Sequence, residues 1–234
     1  SGNVQTYSGV DGSAYGGLVN QSLASDTAAN NWWGSITGPT NPGNPLGTGD
    51  AVVGSVTFSP WLNACGGSPT GNFHNVTDNT FFATMQAAVN AASYGDVIVP
   101  VAAGPFGPEG SATVAASGVT IKLLGRTFGP GSPAFTITGN DVTILGPGVI
   151  DGGGSTFPGI LVQAGAGNFT LRDAEVKGWA DGIQVAGPVV SLKITESWIH
   201  DNTDAGLQVD ATPSGVITIK GNLFKANGGP GVTY

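Results

Sequence analysis

The second half of the chain repeats itself. Apolar triplets recur at Val119-Thr120-Ile121, Val142-Thr143-Ile144, Phe169-Thr170-Leu171, Leu192-Lys193-Ile194 and Ile217-Thr218-Ile219, and their last residues follow one another at spacings of 23, 27, 23 and 25. A second short apolar segment follows in most units: Gly159-Ile160-Leu161-Val162, Gly182-Ile183-Gln184-Val185, Gly206-Leu207-Gln208-Val209 and Gly231-Val232. Alternating apolar residues bounded by Gly and Asn read as short half-buried strands. A period of 20 to 50 residues marks a solenoid. With two or three strands per unit and no helix between them, the expected architecture is an all-β parallel β-helix, one coil per unit, with coils about 4.8 Å apart.

Stacking the units places Val149, Val176, Ile199 and Phe224 in one inward column. Their successors Ile150, Lys177, His200 and Lys225 then point outward, since strand side chains alternate. Glycine and asparagine tolerate left-handed corners, which is the expected use of the chain's 40 glycines. One helix is expected over Phe81, Phe82, Met85, Ala88 and Val89, capped by Asn79 or Thr80 and stopped by Gly95. Its place before the first solenoid strand, Asp96-Val97-Ile98-Val99, suits a lid over the open core.

Residues 1–62 differ in character. Val4-Gln5-Thr6-Tyr7 and Gly17-Leu18-Val19-Asn20 read as strands of one more coil, and Leu23 to Ala29 as a partial coil. Asn30-Asn31-Trp32-Trp33-Gly34 follows, then a Gly/Pro/Thr-rich loop ending in Val56-Thr57-Phe58-Ser59-Pro60-Trp61-Leu62. This resembles the closing segment of right-handed parallel β-helix repeat proteins, the pectate-lyase-like solenoids. Thr84-Met85-Gln86-Ala87-Ala88-Val89 with Gly95-Asp96 resembles the segment that opens them. The resemblance implies a right-handed parallel β-helix with one short capping α-helix. It carries no single function, because the fold hosts many.

The order is inverted relative to that family: residues 1–62 resemble the end of a β-helix and 79–234 its beginning, with 63–78 read as a linker. The sequence stops in mid-coil at Val232-Thr233-Tyr234 and starts in mid-coil at Ser1-Gly2-Asn3-Val4. An uncapped parallel edge is a template for another strand. Residues 1–62 are therefore expected to cover the C-terminal edge, of the same chain or of the next. A solenoid of about 30 Å and a linker reaching up to about 50 Å allow both. Next-chain closure is favoured, as a heterologous head-to-tail contact that builds open filaments. The assembly edge is then Val4, Tyr7, Leu18 and Val19 against Ile217, Ile219, Val232 and Tyr234.

Chemistry is sparse. Seven Lys and Arg against fifteen Asp and Glu give a net charge of −8, which argues against nucleic acid. No apolar run approaches the roughly 18 residues of a membrane span. The lone Cys65 makes no intrachain disulfide. Low charge (9%) and a Gly/Asn/Thr/Ser-rich surface point to an extracellular or cell-surface protein. Three glycosylation patterns start at Asn20, Asn75 and Asn168.

The row Lys177, His200 and Lys225, with Asp173, Glu196, Asp201 and Asp204 nearby, is the best enzymatic candidate. It would serve a polysaccharide hydrolase or lyase, through paired carboxylates or a Ca²⁺-assisted elimination. The blander reading is a solvated face of balanced charges. No catalytic residue, metal ligand or cofactor is assigned; Ca²⁺ at Asp201-Asn202-Thr203-Asp204 is weighed against an ordinary polar turn. His74 reads as a surface residue, and Trp32, Trp33 and Trp61 as capping residues rather than sugar platforms. The expected function is a non-enzymatic structural subunit of an extracellular fibre or surface layer, with copies of itself and cell-surface polysaccharide as partners. The alternative is a monomeric carbohydrate-active or carbohydrate-binding β-helix.

Overall fold

The computed structural model of the chain describes residues 17–20, 24–65, 69–130, 132–211 and 214–233, and the backbone alone of Gln5–Tyr7 and Pro69. Val4, Tyr234 and the side chain of Tyr7 lie outside the described residues. The repeat folds as a parallel β-solenoid of about six turns. Its first ladder runs Val97–Pro100, Thr120–Lys122, Val142–Leu145, Asn168–Arg172, Ser191–Thr195 and Ile217–Lys220, all parallel. The second runs from Thr127–Phe128 through Val149–Asp151, Glu175–Lys177 and Trp198–His200 to Leu223–Lys225. The third contains Ala112–Val114, Phe135–Ile137, Ile160–Val162, Ile183–Val185, Leu207–Val209 and Val232–Thr233.

The period of 2 decides which side chains fill the interior. Ile121, Ile144, Leu171 and Ile194 form one fully buried column, and Phe135, Ile160, Ile183 and Leu207 another. Each such burial contributes about 1.5–3 kcal/mol. The second ladder corrects the expected register. Its inward column is Phe128, Ile150, Val176, Ile199 and Phe224. Ile150, not Val149, is the fully buried residue, so the outward row is headed by Asp151.

Glycine takes many left-handed positions, as expected, but not all of them. After the first ladder that position is held by Asp173 (φ 56°), Glu196 (φ 56°) and Gly221 (φ 70°), acidic in two of these three coils. The glycines that open the third-ladder strands have a steric role instead. A Cβ on Gly182 would lie 2.7 Å from the carbonyl oxygen of Gly206, and one on Gly206 the same distance from that of Gly231. Successive coils meet there backbone to backbone: Ile183 donates to the Gly206 carbonyl and Leu207 to that of Gly231. At the corner after the second ladder, Asn202 Oδ1 accepts from the Trp179 amide and Asn227 Oδ1 from Asn202, which binds consecutive coils by an asparagine stack.

The helix spans Met85–Ala91 and is capped by Thr84, whose side chain accepts from the Ala87 amide. Thr80–Phe82, expected to open it, is instead a strand paired antiparallel with Phe73–Asn75. That second strand is in turn antiparallel to Val97–Pro100, so the segment read as a linker carries a strand of the first sheet, with Thr80–Phe82 at its edge. Met85, Ala88 and Val89 are buried in the main core, and the helix closes the solenoid at its first coil.

Gly206→Ala is expected to cost about 1–3 kcal/mol through overpacking against the next coil, read as a lowered midpoint in thermal unfolding by circular dichroism.

Candidate functional site

At the far end from the helix, among the described residues, no strand or helix covers the last coil. Ile217, Ile219, Phe224 and Val232 face the core of the last coil and are half-buried. Their counterparts one coil earlier, Leu192, Ile194, Ile199 and Leu207, are completely buried. Ile217–Lys220, Leu223–Lys225 and Val232–Thr233 each end their sheet. In interior coils the amides of Glu196, Asp201 and Gly206 donate to carbonyls of the following coil. Among the described residues, no acceptor faces the equivalent amides of Gly221, Ala226 and Gly231. Val216 and Leu223 add strongly exposed apolar surface, at 71% and 53%.

Residues 17–62 form a short stack of their own. Gly17–Val19 pairs parallel with Gly49–Val53, and Asp26–Thr27 parallel with Val56–Thr57. Leu18, Trp33, Val52, Phe58, Trp61 and Ala83 make its core, and the Trp61 indole donates to the Ile36 carbonyl at 3.0 Å. Trp33 and Trp61 thus pack inward, into the core of this stack. The stack sits against the helix end, through Asn72 bonded to Asn44 (2.9 Å) and Ser59 bonded to the Phe81 carbonyl (3.4 Å). The expected single coil of Val4-Gln5-Thr6-Tyr7 and Gly17-Leu18-Val19-Asn20 is not what forms. Gln5–Tyr7 folds back antiparallel on Gly17–Val19. Leu18 is buried and Val19 half-buried.

The outward row of the second ladder brings the charged candidates together. Lys177 Nζ lies 3.3 Å from Glu175 and 3.7 Å from Asp151. Burial pulls the lysine pKa down, but the hydrogen bond and charges of Glu175 and Asp151 outweigh it and hold it above the usual value. This ammonium is clamped, not poised as a base. His200 Nδ1 lies 2.6 Å from Asp201 Oδ2, and Nε2 lies 3.2 Å from Glu175 Oε1. Trp198 stacks on the imidazole at a centroid distance of 3.8 Å, with 41% of the tryptophan still exposed. Lys225 closes the row at the open edge.

The other acids serve elsewhere. Glu196 pairs with Arg172 at 2.8 Å on the surface. In the turn weighed for Ca²⁺, the Asp201 carboxylate faces His200 and the Asn202 side chain is engaged in the corner stack. Among the described residues, no group of three His, Cys, Asp or Glu converges as a metal site. Asp181 and Asp210, which sequence reading did not single out, lie near enough to Asp204 for the charges of Asp204 and Asp210 to act on Asp181. Burial, with the charges of Asp204 and Asp210, raises the Asp181 pKa against the lowering effect of its bond from the Ala205 amide. An open apolar cleft of about 790 Å³ lies between Thr57–Pro60 and Phe81–Ala83, and none of its lining side chains titrates.

His74 stacks on Phe81 at 4.1 Å, with Nε2 facing Asn79. Asn20 and Asn75 are buried, which leaves Asn168 as the exposed asparagine of the three glycosylation patterns. Cys65 is free and exposed. No helix among the described residues is long and apolar enough to cross a membrane. Comparison with protein-family models, with curated proteins and with solved structures finds no match to the chain.

Two outcomes follow from this geometry. Ile199→Ala should cost about 2–5 kcal/mol, and Phe224→Ala clearly less in the monomer, by urea unfolding at a dilution where the chain is monomeric. Asp181 takes up its proton more readily folded than unfolded, so its ionised form destabilises the fold above its folded pKa. Asp181→Asn should therefore raise Tm at neutral pH, with the gain fading as pH falls through the carboxylate range.

Proposed function

We propose that the chain is a non-enzymatic structural subunit of an extracellular fibre or surface layer, joined head-to-tail. Residues 1–62 of one copy complete the open last coil of another. The observation that carries this reading is the contrast between the half-buried Ile217, Ile219, Phe224 and Val232 and their fully buried counterparts one coil earlier. Covering them continues the same core burial and parallel pairing that holds every interior coil.

Two further observations support it. The stack of residues 17–62 lies at the helix end and the open coil at the other, so within one chain the stack does not cover that coil. Their charges are complementary. Residues 1–62 hold Asp11, Asp26 and Asp50 and no Lys or Arg, whereas 214–233 hold Lys220 and Lys225 and no acid. Complementary ends favour the heterologous contact over like-with-like pairing. The clamped Lys177 and the corner placement of Asp173 and Glu196 fit charges that balance along a stack.

Negative-stain microscopy of the purified chain tests the reading. Fibres with a repeat of several nanometres are expected, and removal of residues 1–20 should leave single particles. Monodisperse particles of the intact chain would send the function to the second reading, a saccharide-binding face around the exposed Trp198 beside Glu175.

A further inference from the structure

We infer that the strand Gln5–Tyr7 is a temporary occupant of the joint: it covers the edge of Gly17–Val19 on which Val232–Thr233 of a second copy stacks, and assembly exchanges one strand for the other. This rests on the head-to-tail reading and specifies its register and its partner surface.

The register comes from the glycine contacts. Gly159, Gly182 and Gly206 each open a third-ladder strand, and a Cβ on each would strike the carbonyl oxygen of the glycine one coil on, at 2.7–2.8 Å. Gly231 stands in the same column, yet a Cβ there would meet only its own coil, at Phe224. The carbonyl that would require glycine at 231 belongs to a coil that follows it. Gly17 opens a strand of the same pattern, Gly17-Leu18-Val19, beside Gly231-Val232-Thr233 and Gly206-Leu207-Gln208. A Cβ on Gly17 would strike the Ala51 carbonyl oxygen at 2.0 Å, which places Gly49–Val53 one coil beyond it. Gly231, Gly17 and Ala51 thus continue one column, with Val232 opposite Leu18 and Thr233 opposite Val19.

The facing of the strand agrees. In the third ladder the residues one and three after the glycine face the next coil: Ile183 donates to Gly206, and the Val185 carbonyl accepts from Asp210. In the short stack Asn20, three residues after Gly17, likewise faces the later strand and donates to Val53. The corner agrees as well: Asn30 (φ 58°) follows the strand Asp26–Thr27 as Gly221 (φ 70°) follows Ile217–Lys220. The edge left for a preceding coil is therefore the outer edge of Gly17–Val19. Gln5–Tyr7 occupies it antiparallel, with Gln5 opposite Val19, Thr6 opposite Leu18 and Tyr7 opposite Gly17. A lone copy is thereby protected from indiscriminate edge pairing, and a second copy competes with a parallel strand whose apolar residue also reaches buried core.

Disulfide staples in a Cys65→Ser background test this. Residues facing each other across paired strands sit about 4.5–5.5 Å apart at Cα, within disulfide reach. The Gln5→Cys, Val19→Cys chain is expected to stay as single particles when oxidised and to form fibres once dithiothreitol opens the bond. The Thr233→Cys, Val19→Cys chain, oxidised after assembly, should give a ladder of multimers on a non-reducing gel. Fibre growth by the oxidised, mass-verified Gln5–Val19 staple at the rate of the reduced form overturns the exchange and leaves head-to-tail joining intact. Monomer alone from oxidised fibres of the second variant overturns the register. No fibres from either reduced variant or from the unsubstituted chain overturns the head-to-tail reading, and this inference with it.

Discussion

Each coil of this chain is finished by the coil after it. The third-ladder glycines show the dependence at its tightest, where Gly182 and Gly206 admit the next backbone at a distance that no Cβ permits. Amides donate both ways across each joint, as Ile183 does to Gly206 and Asp210 to Val185, and the inward columns of Ile, Leu, Val and Phe bury one another from coil to coil. A solenoid of this kind has nearest-neighbour energetics. Its stability is a sum over joints, and its two ends are the places where the sum is cut.

The chain treats its two ends differently. The first coil is sealed by Met85, Ala88 and Val89 of the capped helix and by the antiparallel strands Phe73–Asn75 and Thr80–Phe82. Reversing strand direction there withholds the parallel template from any further coil. Among the described residues, neither device covers the last coil. Acidic residues meanwhile serve as conformational parts: Asp173 and Glu196 hold left-handed corners, and Glu196 still reaches Arg172 from that position. The dense charges of the second ladder are mutually engaged, with Lys177 between Asp151 and Glu175 and His200 between Glu175 and Asp201.

The solenoid was legible in the sequence because Ile121, Ile144, Leu171 and Ile194 recur with a fixed neighbourhood, and a core column has little chemical freedom. The error at Val149 and Ile150 has a local cause. Both residues are apolar, so alternation alone does not say which one faces inward, and Gly146-Pro147-Gly148 before them gives no phase. The helix start was misplaced because Phe81 and Phe82 fit helical spacing while their backbone pairs with Phe73–Asn75, a partner far too distant for local propensity to reveal. The hairpin of Gln5–Tyr7 on Gly17–Val19 was invisible for a related reason: antiparallel and parallel strands share the same alternation. Lys177 and His200 were readable as one row, but Glu175 as their common partner was not. It belongs to the neighbouring outward row, with Trp198.

The direction of the hydrogen bonds has a mechanical meaning. Strands run around the solenoid, so the bonds between coils lie along its axis, in three ladders side by side. A pull on the two ends loads all three ladders of any joint together, with the inward side chains resisting as well. Peeling from one side would instead meet the bonds one after another. A rod built this way is strong in tension and weak to a sideways tear, and the sealing helix closes one of its ends.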